Sequence, residues 1–528
     1  MTNSIDEIAD ADFIFASGTN TTETHPIISL KVRKALDNGA KLVVADPRKT
    51  EMAELAHTYL PIAAGSDLAL LNAMAHVIIK EELYNKEFVE ERTEGFEELK
   101  AGIEKYTPEY AERVTGVAAD VIRQVARDYA VSEKSTILYT MGITQHISGT
   151  DNVLGIANLA LLTGHIGRRS TGVNPLRGQN NVQGACDMGG LPNVYPAYQP
   201  VNDPDVRAKF EKAWGVQLNP NPGLTLGEMF KEAGHGTIKS MYIIGENPAI
   251  SDPDTNHVVE ALEKLELLVV QDIFLTETAQ LAHVVLPAAS FAEKDGTFVN
   301  TERRVQRVNK AIEPVGNSKP DWEIIQLIAQ EMGYPMNYSS PAEIMDEIAA
   351  VAPSYGGISY ERLAQEKDGL QWPCPTADHP GTAYLHSGEF ARGKGKMFFV
   401  EYVPPAEQTD EEYPLVLTTG RKLWHYHTGT MTRRSAGLDW KLSEERIEIN
   451  PAEARKYCLQ TGDRIKISSR RGSIESTVEI TDRVQPGLVF GSFHFKEAAI
   501  NKLTNTAHDP KAKIPELKVC AVKLEKIS

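Results

Sequence analysis

Near its N-terminal end the chain reads DADFIFASG (10–18), HPIISLKVRKALDNG (25–39) and AKLVVADP (40–47). The first and last runs are short, apolar and end in glycine or proline, a pattern typical of buried β-strands. In the middle run apolar residues recur at helical spacing, and Gly39 follows where a left-handed residue commonly ends a helix. Strand, helix and strand in this order predict a parallel, doubly wound sheet, so the predicted fold class is α/β.

The same order of elements returns later in the chain, in IKSMYIIGENP (238–248), HVVEALEKLE (257–266) and LLVVQDIF (267–274). After residue 413 the runs are shorter and alternate polar with apolar residues between turn signals, which predicts a compact β-barrel. We therefore predict two Rossmann-like doubly wound domains followed by a C-terminal barrel. The predicted domains are residues 1–179, residues 180–400 with their connecting segments, and residues 401–528.

Composition and charge narrow the range of partners. The 528 residues carry a formal net charge of −17, which argues against nucleic acid and anionic membrane surfaces as partners. No apolar run approaches the roughly 18 residues that cross a bilayer. The four cysteines are scattered and form no C-x-x-C pair, so they indicate neither a disulfide framework nor a cluster site. Isolated thiols fit a reducing compartment, and the predicted location is the cytoplasm.

The two α/β blocks repeat each other in detail. Gly18 precedes Asp46 by 28 positions, and Gly245 precedes Asp272 by 27. Beyond each aspartate the match tightens, because TEMAELAH begins 4 residues after Asp46 and TETAQLAH begins 4 residues after Asp272. A repeat of this length indicates two copies of one structural unit.

Each copy has features that suit a nucleotide. A glycine at the end of a strand lets the backbone approach a phosphate, and an acidic residue after the next strand can bind a ribose hydroxyl or a base amino group. Neither block contains G-x-G-x-x-G or a P-loop, so one block alone is equally typical of a generic Rossmann-like unit. Two matched blocks favour either a duplicated site for two similar nucleotide tails or one nucleotide at the seam between the blocks.

Residues 172–193 form a polar, glycine-rich stretch for which the sequence predicts neither helix nor strand, and its residues 174–193 read NPLRGQNNVQGACDMGGLPN. It closely resembles a stretch of formate dehydrogenase catalytic subunits in the molybdopterin (dimethyl-sulfoxide-reductase-like) superfamily. GTNTTETHP (18–26), VADPRK (44–49) and TTGRKLWHYHTGTMTRR (418–434) resemble the same family, and the resemblance runs in order along essentially the whole chain.

The resemblance implies oxidation of formate to carbon dioxide, or the reverse, at a bis-molybdopterin guanine dinucleotide centre that holds molybdenum or tungsten. It implies that electrons leave through an iron–sulfur cluster to an electron-transfer subunit. It also implies one guanine tail for each Rossmann-like domain, which would explain the repeat.

The same resemblance implies a set of cofactor-binding residues. Around one guanine nucleotide they are Gly18, Asn20, Asp46, Arg48, Gly65 and Asp67, and around the other they are Gly245, Glu246, Asn247 and Asp272. Gly142 and Gln145 face the pterin, and the barrel contributes Gly420, Arg421, His425, His427 and Thr428, with His494, Asn501 and Lys518 as later contacts. The His425 and His427 pair has too few further ligands nearby for zinc, so no metal site is predicted there.

Arg177 is the predicted catalytic residue, because it resembles the substrate arginine of the family. Formate is a one-carbon carboxylate, and a planar guanidinium can hold both of its oxygens and direct the C–H bond toward a metal. Gln179, in the same stretch, resembles a pterin contact.

Family members begin with a four-cysteine segment for a 4Fe–4S cluster, followed by a cysteine or selenocysteine ligand to the metal and a catalytic histidine. These features have no counterpart in the 528 residues, so we expect the chain to be the C-terminal part of such a subunit, left by a selenocysteine codon read as a stop or by a split gene. Alone, it is expected not to oxidise formate. The alternatives are another molybdopterin reductase, such as a nitrate reductase, and a non-redox cofactor-binding subunit.

Overall fold

A computed structural model describes residues 1–527 and divides the chain into two compact units. Unit 1 comprises Met1–Gly178, Ile250–Thr255 and Tyr384–Ser528. Unit 2 comprises Gln179–Ala249 and Asn256–Ala383. The three-domain division stays a prediction. No helix within residues 1–527 has the length and apolar character needed to cross a membrane.

Within residues 1–527 the strands, numbered in chain order, are β1 Phe13–Ser17, β2 Lys41–Ala45, β3 Thr58–Leu60, β4 Thr93–Glu94, β5 Ser135–Tyr139, β6 Gly172–Pro175, β7 Val194–Tyr195, β8 Gln199–Pro200, β9 Ser240–Ile244, β10 Leu267–Asp272, β11 Val284–Pro287, β12 Gly296–Val299, β13 Arg304–Val308, β14 Leu370–Gln371, β15 Gly395–Lys396, β16 Leu415–Gly420, β17 Arg446–Ile449, β18 Arg464–Ser468, β19 Ser473–Ile480, β20 Leu488–Ser492 and β21 Cys520–Lys526.

The α-helices of the same residues are α1 Thr21–Thr24, α2 Pro26–Asp37, α3 Glu51–Leu55, α4 Asp67–Lys80, α5 Lys86–Arg92, α6 Phe96–Gly102, α7 Pro108–Thr115, α8 Ala119–Val131, α9 Met141–Thr144, α10 Gly149–Thr163, α11 Val182–Asp187, α12 Pro204–Trp214, α13 Leu226–Gly234, α14 Pro248–Ser251, α15 Thr255–Glu263, α16 Glu277–Gln280, α17 Asp321–Glu331, α18 Pro341–Val351, α19 Tyr360–Gln365, α20 Ala436–Lys441 and α21 Pro451–Lys456. Short 3₁₀ turns lie at Ile5–Asp10, Ile103–Lys105, Pro196–Tyr198, Phe291–Glu293, Pro353–Tyr355, Thr432–Arg434, Lys496–Ala498 and Ile500–Lys502.

Unit 1 is built on a parallel sheet in the order β3-β2-β1-β5-β6. Every residue of β1 is buried, and its side chains alternate between the two faces. Phe13 and Phe15 belong to the core formed with α4, α8 and α10, whereas Ile14 and Ala16 belong to the core formed with α2. Both faces are therefore covered, as the all-apolar FIFAS run predicts for a central parallel strand.

Unit 1 also contains a closed barrel in the order β16-β20-β17-β19-β18-β21. Leu417, Ile447, Ile465 and Val489 are among the side chains that fill its interior. The period-two pattern after residue 413 thus predicted the barrel correctly, because alternate residues of each strand point inward.

A buried ion pair joins the barrel to the sheet of unit 1. Arg48, just after β2, donates to both carboxylate oxygens of Glu448 on β17, with Nε to Oε2 at 2.8 Å and Nη2 to Oε1 at 2.7 Å. The two side chains are only 6% and 4% exposed, and the guanidinium lies 4.0 Å from the ring centroid of Phe490. Bidentate geometry of this kind gives directional as well as electrostatic attachment.

Unit 2 contains a parallel sheet in the order β11-β10-β9 and an antiparallel sheet in the order β12-β13-β14. Helices α13 and α15 cover one face of the parallel sheet, where Leu268 and Val270 pack against Phe230 and Leu262. The fold class is thus α/β with a terminal barrel, as predicted. The prediction that residues 172–193 form neither helix nor strand is wrong, since they include all of β6 and all of α11.

The repeat seen in the sequence has matching hydrogen bonds in both units. The Gly18 N–H donates to the carbonyl of Ala45 at 3.0 Å, and the Gly245 N–H donates to the carbonyl of Gln271 at 2.8 Å. His57 Nδ1 accepts from the Leu42 N–H, and His283 Nδ1 accepts from the Leu268 N–H. Thr50 and Thr276 each cap the helix that follows. The two blocks are therefore copies of one β-α-β design.

We expect Glu448→Ala to lower the free energy of unfolding by about 3 kcal/mol, because it leaves the buried Arg48 guanidinium without its carboxylate. The matched control is Glu475→Ala, which removes an exposed partner of Arg464 on the same barrel and should cost less than about 1 kcal/mol. Denaturant unfolding of both variants measures the difference. Equal losses in the free energy of unfolding would contradict the prediction that the buried Arg48–Glu448 pair stabilises the fold more than an exposed ion pair.

Candidate cofactor and substrate site

The predicted residues of the first block gather at one edge of the sheet in unit 1. Gly18 follows β1, Asp46 follows β2, Gly142 lies just after β5, and Arg177 follows β6. The strands are parallel, so their carboxyl ends share this edge, and the strand order reverses between β1 and β5. Crevices at such a reversal are the usual ligand sites of doubly wound folds.

Two glycines let the backbones meet at this reversal. Gly18 has a φ of +56°, and the Gly142 N–H donates to its carbonyl at 3.1 Å. A Cβ added to Gly142 would lie 2.5 Å from the Gly18 Cα, and one added to Gly18 would lie 2.6 Å from the Gly142 carbonyl carbon. Any side chain here would push the two strand ends apart, so the glycines keep the crevice floor open to a ligand.

The side-chain amide of Asn20, two residues after Gly18, is buried beside the two glycines. Within residues 1–527 neither its amide nitrogen nor its amide oxygen has a hydrogen-bond partner, although both atoms are buried. In the second block the matching Asn247 is satisfied, since its Oδ1 accepts from the N–H and hydroxyl of Thr278. Met52 stands at the position that matches Thr278. A buried amide with no partner is costly unless a ligand satisfies it.

Two buried carboxyl groups on the same side have raised pKa values. Burial raises the pKa of Asp46 to about 6, against the opposing effect of the Arg48 N–H, which donates to Asp46 Oδ1 at 2.9 Å. Burial, with a smaller contribution from the charge of Asp46, raises the pKa of Asp67 to about 7. Carboxyl groups of this kind can bind the N–H groups of a base such as guanine, which would restore the interactions lost on burial.

Two buried cations face the same region from the barrel. Burial, together with the positive charge of Arg421, lowers the pKa of Lys518 to about 8, although Asp46 opposes the shift. Lys518 Nζ donates to the carbonyl of Thr419 at 2.6 Å. Burial also lowers the pKa of Arg421. Asp46 offsets the Lys518 charge only in part, since the pKa of Lys518 stays below its ordinary value. Two buried cations suit phosphate or carboxylate ligands.

His427 after β16 and His494 after β20 are joined by a hydrogen bond, and burial lowers the pKa of both. His494 Nε2 accepts from the Lys422 N–H at 2.9 Å, so Nδ1 carries the proton that it donates to the His427 carbonyl. Burial lowers the pKa of His494 to about 3 and that of His427 to about 4, and Arg421 adds to both shifts. His425 bonds through Nε2 to the Leu442 carbonyl at 2.6 Å. These contacts shape the loop and use ring nitrogens that a metal would need.

Arg177 lies among polar groups in the loop after β6. His25 Nε2 lies 2.6 Å from the Arg177 carbonyl oxygen and, because a carbonyl can only accept, His25 donates. A Cβ added to Gly178 would lie 2.5 Å from Arg421 Nη1, which places the second guanidinium directly against this loop. Burial raises the pKa of Tyr139 to about 12, with the Arg177 charge opposing. Arg177 and Arg421 together give this loop two guanidinium groups, which would suit an anionic ligand.

The remaining predicted residues of unit 1 have identifiable contacts. The Arg48 side chain is engaged by Glu448, so only its backbone N–H is directed to Asp46. Asn501 Nδ2 donates to the carbonyls of Ile250 and Ser251, while its Oδ1 has no partner within residues 1–527. The other four residues lie at or near the ends of elements of unit 1. Gly65 precedes α4 with a φ of +80°, and Gln145 directly follows α9. Gly420 ends β16, and Thr428 in the loop after it forms a hydrogen bond with Thr430.

Unit 2 places its own predicted residues after β9 and β10. Gly245 has a φ of +63° and no atom within 4 Å of an added Cβ. Burial raises the pKa of Glu246, and Asp272 Oδ1 accepts from the N–H groups of Ile273 and Phe274. Gln179, the first residue of unit 2, accepts from the Val182 N–H at 3.5 Å through its carbonyl.

Sequence reasoning missed an anchor in the diagnostic stretch. Asp187, at the end of α11, is fully buried and accepts hydrogen bonds from four neutral donors. The donors are Tyr355 Oη at 2.5 Å, Trp372 Nε1 and Gln183 Nε2 at 2.7 Å, and Tyr198 Oη at 2.8 Å. His25 and Tyr139 were also missed. His25 directly follows α1 in the sequence Thr24-His25-Pro26, but no sequence pattern predicts that it lies beside Arg177.

Comparison with known proteins identifies the family. Residues 1–331 match the family described as molybdopterin oxidoreductase, and residues 415–521 match the molybdopterin dinucleotide binding domain. The chain belongs to the molybdopterin oxidoreductases. It is 54% identical to the F420-dependent formate dehydrogenase subunit alpha of Methanocaldococcus jannaschii, covering 100% of this chain and 78% of that protein.

Two further similarities agree with this assignment. The chain is 43% identical to formate dehydrogenase H of Escherichia coli, covering 100% of this chain and 74% of that protein. Acetylene hydratase from Pelobacter acetylenicus shares the fold, with a TM-score of 0.77 at 20% identity over 100% of this chain and 81% of that one.

The site of unit 1 fits a molybdopterin cofactor. The glycine floor admits a ligand, the Asn20 amide has no hydrogen-bond partner within residues 1–527, and Lys518 and Arg421 supply buried positive charge. Within residues 1–527 no group of three histidine, cysteine, aspartate or glutamate side chains could hold a metal ion. The glycine floor, the Asn20 amide and the two cations suit the organic part of the cofactor.

We expect Asp67→Asn to stabilise the cofactor-free chain by roughly 2–4 kcal/mol at pH 8. The folded pKa of Asp67 is raised, so the folded state holds its proton more tightly and wild-type stability falls as pH rises from about 4 through about 7. Urea unfolding at pH 5 and pH 8 should show a larger gain at pH 8. Asp120→Asn, at a 95% exposed side chain, is the control and should show no such trend.

We expect Gly142→Ala to lower stability by about 2–3 kcal/mol and to reduce cofactor incorporation, because its Cβ would meet the Gly18 backbone. Gly437→Ala is the matched control, since no atom lies within 4 Å of its added Cβ. Thermal unfolding and the cofactor content of each purified variant measure both effects. Wild-type behaviour of Gly142→Ala would contradict the close approach of the two glycines.

Proposed function

We propose that the chain is the cofactor- and formate-binding part of a formate dehydrogenase alpha subunit, which oxidises formate to carbon dioxide. The observation that carries the proposal is Arg177 at the carboxyl edge of the sheet, in a loop that also contacts Arg421. The relatives named formate dehydrogenase subunits support it. They favour neither of the alternatives, a nitrate-type reductase and a non-redox subunit.

Oxidation of formate requires the formate anion to be held in one orientation. Formate loses one proton and two electrons to become carbon dioxide, so its C–H bond must be directed away from the groups that bind its oxygens. Arg177 can donate two parallel N–H groups to the two oxygens, which fixes that direction. Arg421, beside Gly178, adds positive charge that draws the carboxylate into the loop. Carbon dioxide is neutral, so the attraction disappears once the product forms.

When bound, a molybdopterin-held metal supplies the acceptor for the two electrons. We propose that two molybdopterin guanine dinucleotides bind, one with Asp46, Asp67 and Asn20 and the other with Asp272 and Glu246. Lys518 and the loop from Gly420 to Thr428 would hold the pterin or its phosphates. The metal is molybdenum or tungsten, which these residues do not distinguish.

We further propose that electrons pass through a 4Fe–4S cluster, held by cysteines outside these 528 residues, to an electron-transfer subunit. The four cysteines of the chain are far apart in sequence, and Cys374 and Cys520 are buried. The proposed location is the cytoplasm.

Cofactor binding can be tested apart from activity. Chain produced in a host that makes the cofactor should release close to two GMP molecules per chain after acid hydrolysis. We expect Asn20→Ala and Asp46→Ala together to remove about half of the GMP, because only the first site would be lost. Full retention of GMP in this double variant would contradict the assignment of the first guanine site.

Substrate binding is tested with Arg177 in the complete, cofactor-loaded enzyme. We expect Arg177→Ala to lower kcat/KM for formate by about 100-fold and Arg177→Lys to raise KM by about tenfold, since lysine cannot form the bidentate contact. Arg169→Ala, at an exposed arginine that pairs with Asp10, is the control and should leave both constants unchanged. Wild-type KM in Arg177→Ala, or nitrate turnover in place of formate turnover, would overturn the proposal.

A further inference from the structure

A buried histidine lies directly behind the glycine floor of the crevice in unit 1. His146 Nε2 is 2.8 Å from the Gly142 carbonyl oxygen and, because a carbonyl can only accept, Nε2 carries the proton. In a neutral ring Nδ1 is then an acceptor, yet within residues 1–527 this buried atom has no hydrogen-bond partner. His146 therefore contacts the floor through one ring nitrogen, and its other ring nitrogen is unsatisfied.

The unsatisfied nitrogen faces a carboxyl group that is also buried. Glu516 Oε1 lies 4.0 Å from His146 Nδ1, and the Glu516 side chain has no exposed surface. Oε1 accepts from the Ile147 N–H at 3.3 Å, and Oε2 accepts from the Ala406 N–H at 3.1 Å. A distance of 4.0 Å is too long for a hydrogen bond, as expected where a lone pair meets an acceptor.

Both ring nitrogens of His146 thus face acceptors, the Gly142 carbonyl and the Glu516 carboxyl group. A neutral imidazole has one N–H and can satisfy only one of them. An imidazolium has two, and a small rotation of the Glu516 side chain would let it satisfy both. The geometry of the two partners therefore suits a protonated ring.

The surroundings disfavour that protonated ring in the cofactor-free chain. Burial lowers the pKa of His146 to about 4, the bond to the Gly142 carbonyl opposes the shift, and the positive charge of Lys518 adds to it. Burial raises the pKa of Glu516, and the negative charge of Glu407 contributes in the same direction. Negative charge in the crevice would offset Lys518 and so make protonation of His146 more favourable.

Glu516 also connects the ring to solvent. Ala406, whose N–H donates to Glu516, is exposed, and Val403 in the same segment is 48% exposed. Residues 401–410 form neither helix nor strand, and exposed segments of this kind open locally at low cost in free energy. A proton from water can therefore reach Glu516 and pass from it to His146 Nδ1.

We propose that His146 takes up one proton, delivered from solvent through Glu516, when electrons from formate add negative charge to the crevice. The inference rests on the proposed function, in which each formate gives two electrons to the bound cofactor. The proton leaves the Glu516 carboxyl group and forms an N–H bond at Nδ1, so Glu516 remains as the carboxylate that this N–H faces. The imidazolium then offsets part of the added charge directly behind the floor.

The test is a redox titration of the metal centre, followed by EPR at pH 6, 7 and 8 in the complete, cofactor-loaded enzyme. Dithionite supplies the electrons, so the result does not depend on formate oxidation. We expect His146→Gln to reduce proton uptake on two-electron reduction by about one proton, measured as a shallower pH dependence of the midpoint potential. Glutamine can still donate to the Gly142 carbonyl, so the crevice floor is kept.

A second variant and a control complete the test. Glu516→Gln should lose the same pH dependence, because an amide cannot carry the proton. His508→Gln, at an exposed histidine of the same unit, should keep the wild-type pH dependence. A midpoint potential that in His146→Gln keeps the wild-type pH dependence, or shifts equally at every pH, would overturn the proposal. Wild-type proton uptake without formate turnover would support this inference and overturn the proposed function.

Discussion

A parallel β-sheet must be covered on both faces while its carboxyl edge stays open, and this constraint organises the whole chain. In unit 1 the constraint is met, because Phe13 and Phe15 pack on one side and Ile14 and Ala16 on the other. The loops that follow the parallel strands then lie together at this open edge. In unit 2 one face packs under α13 and α15, while on the other face Tyr242 is 40% exposed at the position where Phe15 of unit 1 is completely buried.

The open edge of unit 1 carries groups that are unfavourable without a ligand. Asp46 and Asp67 have raised pKa values, Lys518 has a lowered one, and the Asn20 amide has no partner within residues 1–527. Each of these groups costs stability in the cofactor-free chain and can regain it by binding. Such costs are common at functional sites, because the groups that recognise a ligand cannot also be satisfied by the protein.

The buried Arg48–Glu448 ion pair explains how the barrel comes to lie beside the open edge of the sheet. It attaches the barrel beside the sheet, so that Lys518 and Arg421 act on the same region as Asp46. Arg48 was predicted as a cofactor contact, and the structure engages its guanidinium with Glu448. The Asp187 anchor plays a similar supporting part inside unit 2, where four neutral donors surround one carboxylate.

The sequence by itself determined the elements whose causes are local. The runs FIFAS and KLVVA, the helix ending before Gly39, the barrel alternation and the Gly-to-Asp repeat depend on spacing along the chain, and the structure has them where the patterns placed them. Only the tertiary structure decided that Gly18 touches Gly142, that His25 meets the Arg177 carbonyl, and that Arg48 pairs with a residue 400 positions away. These contacts join distant segments, and their partners are chosen by packing and burial that no local pattern encodes.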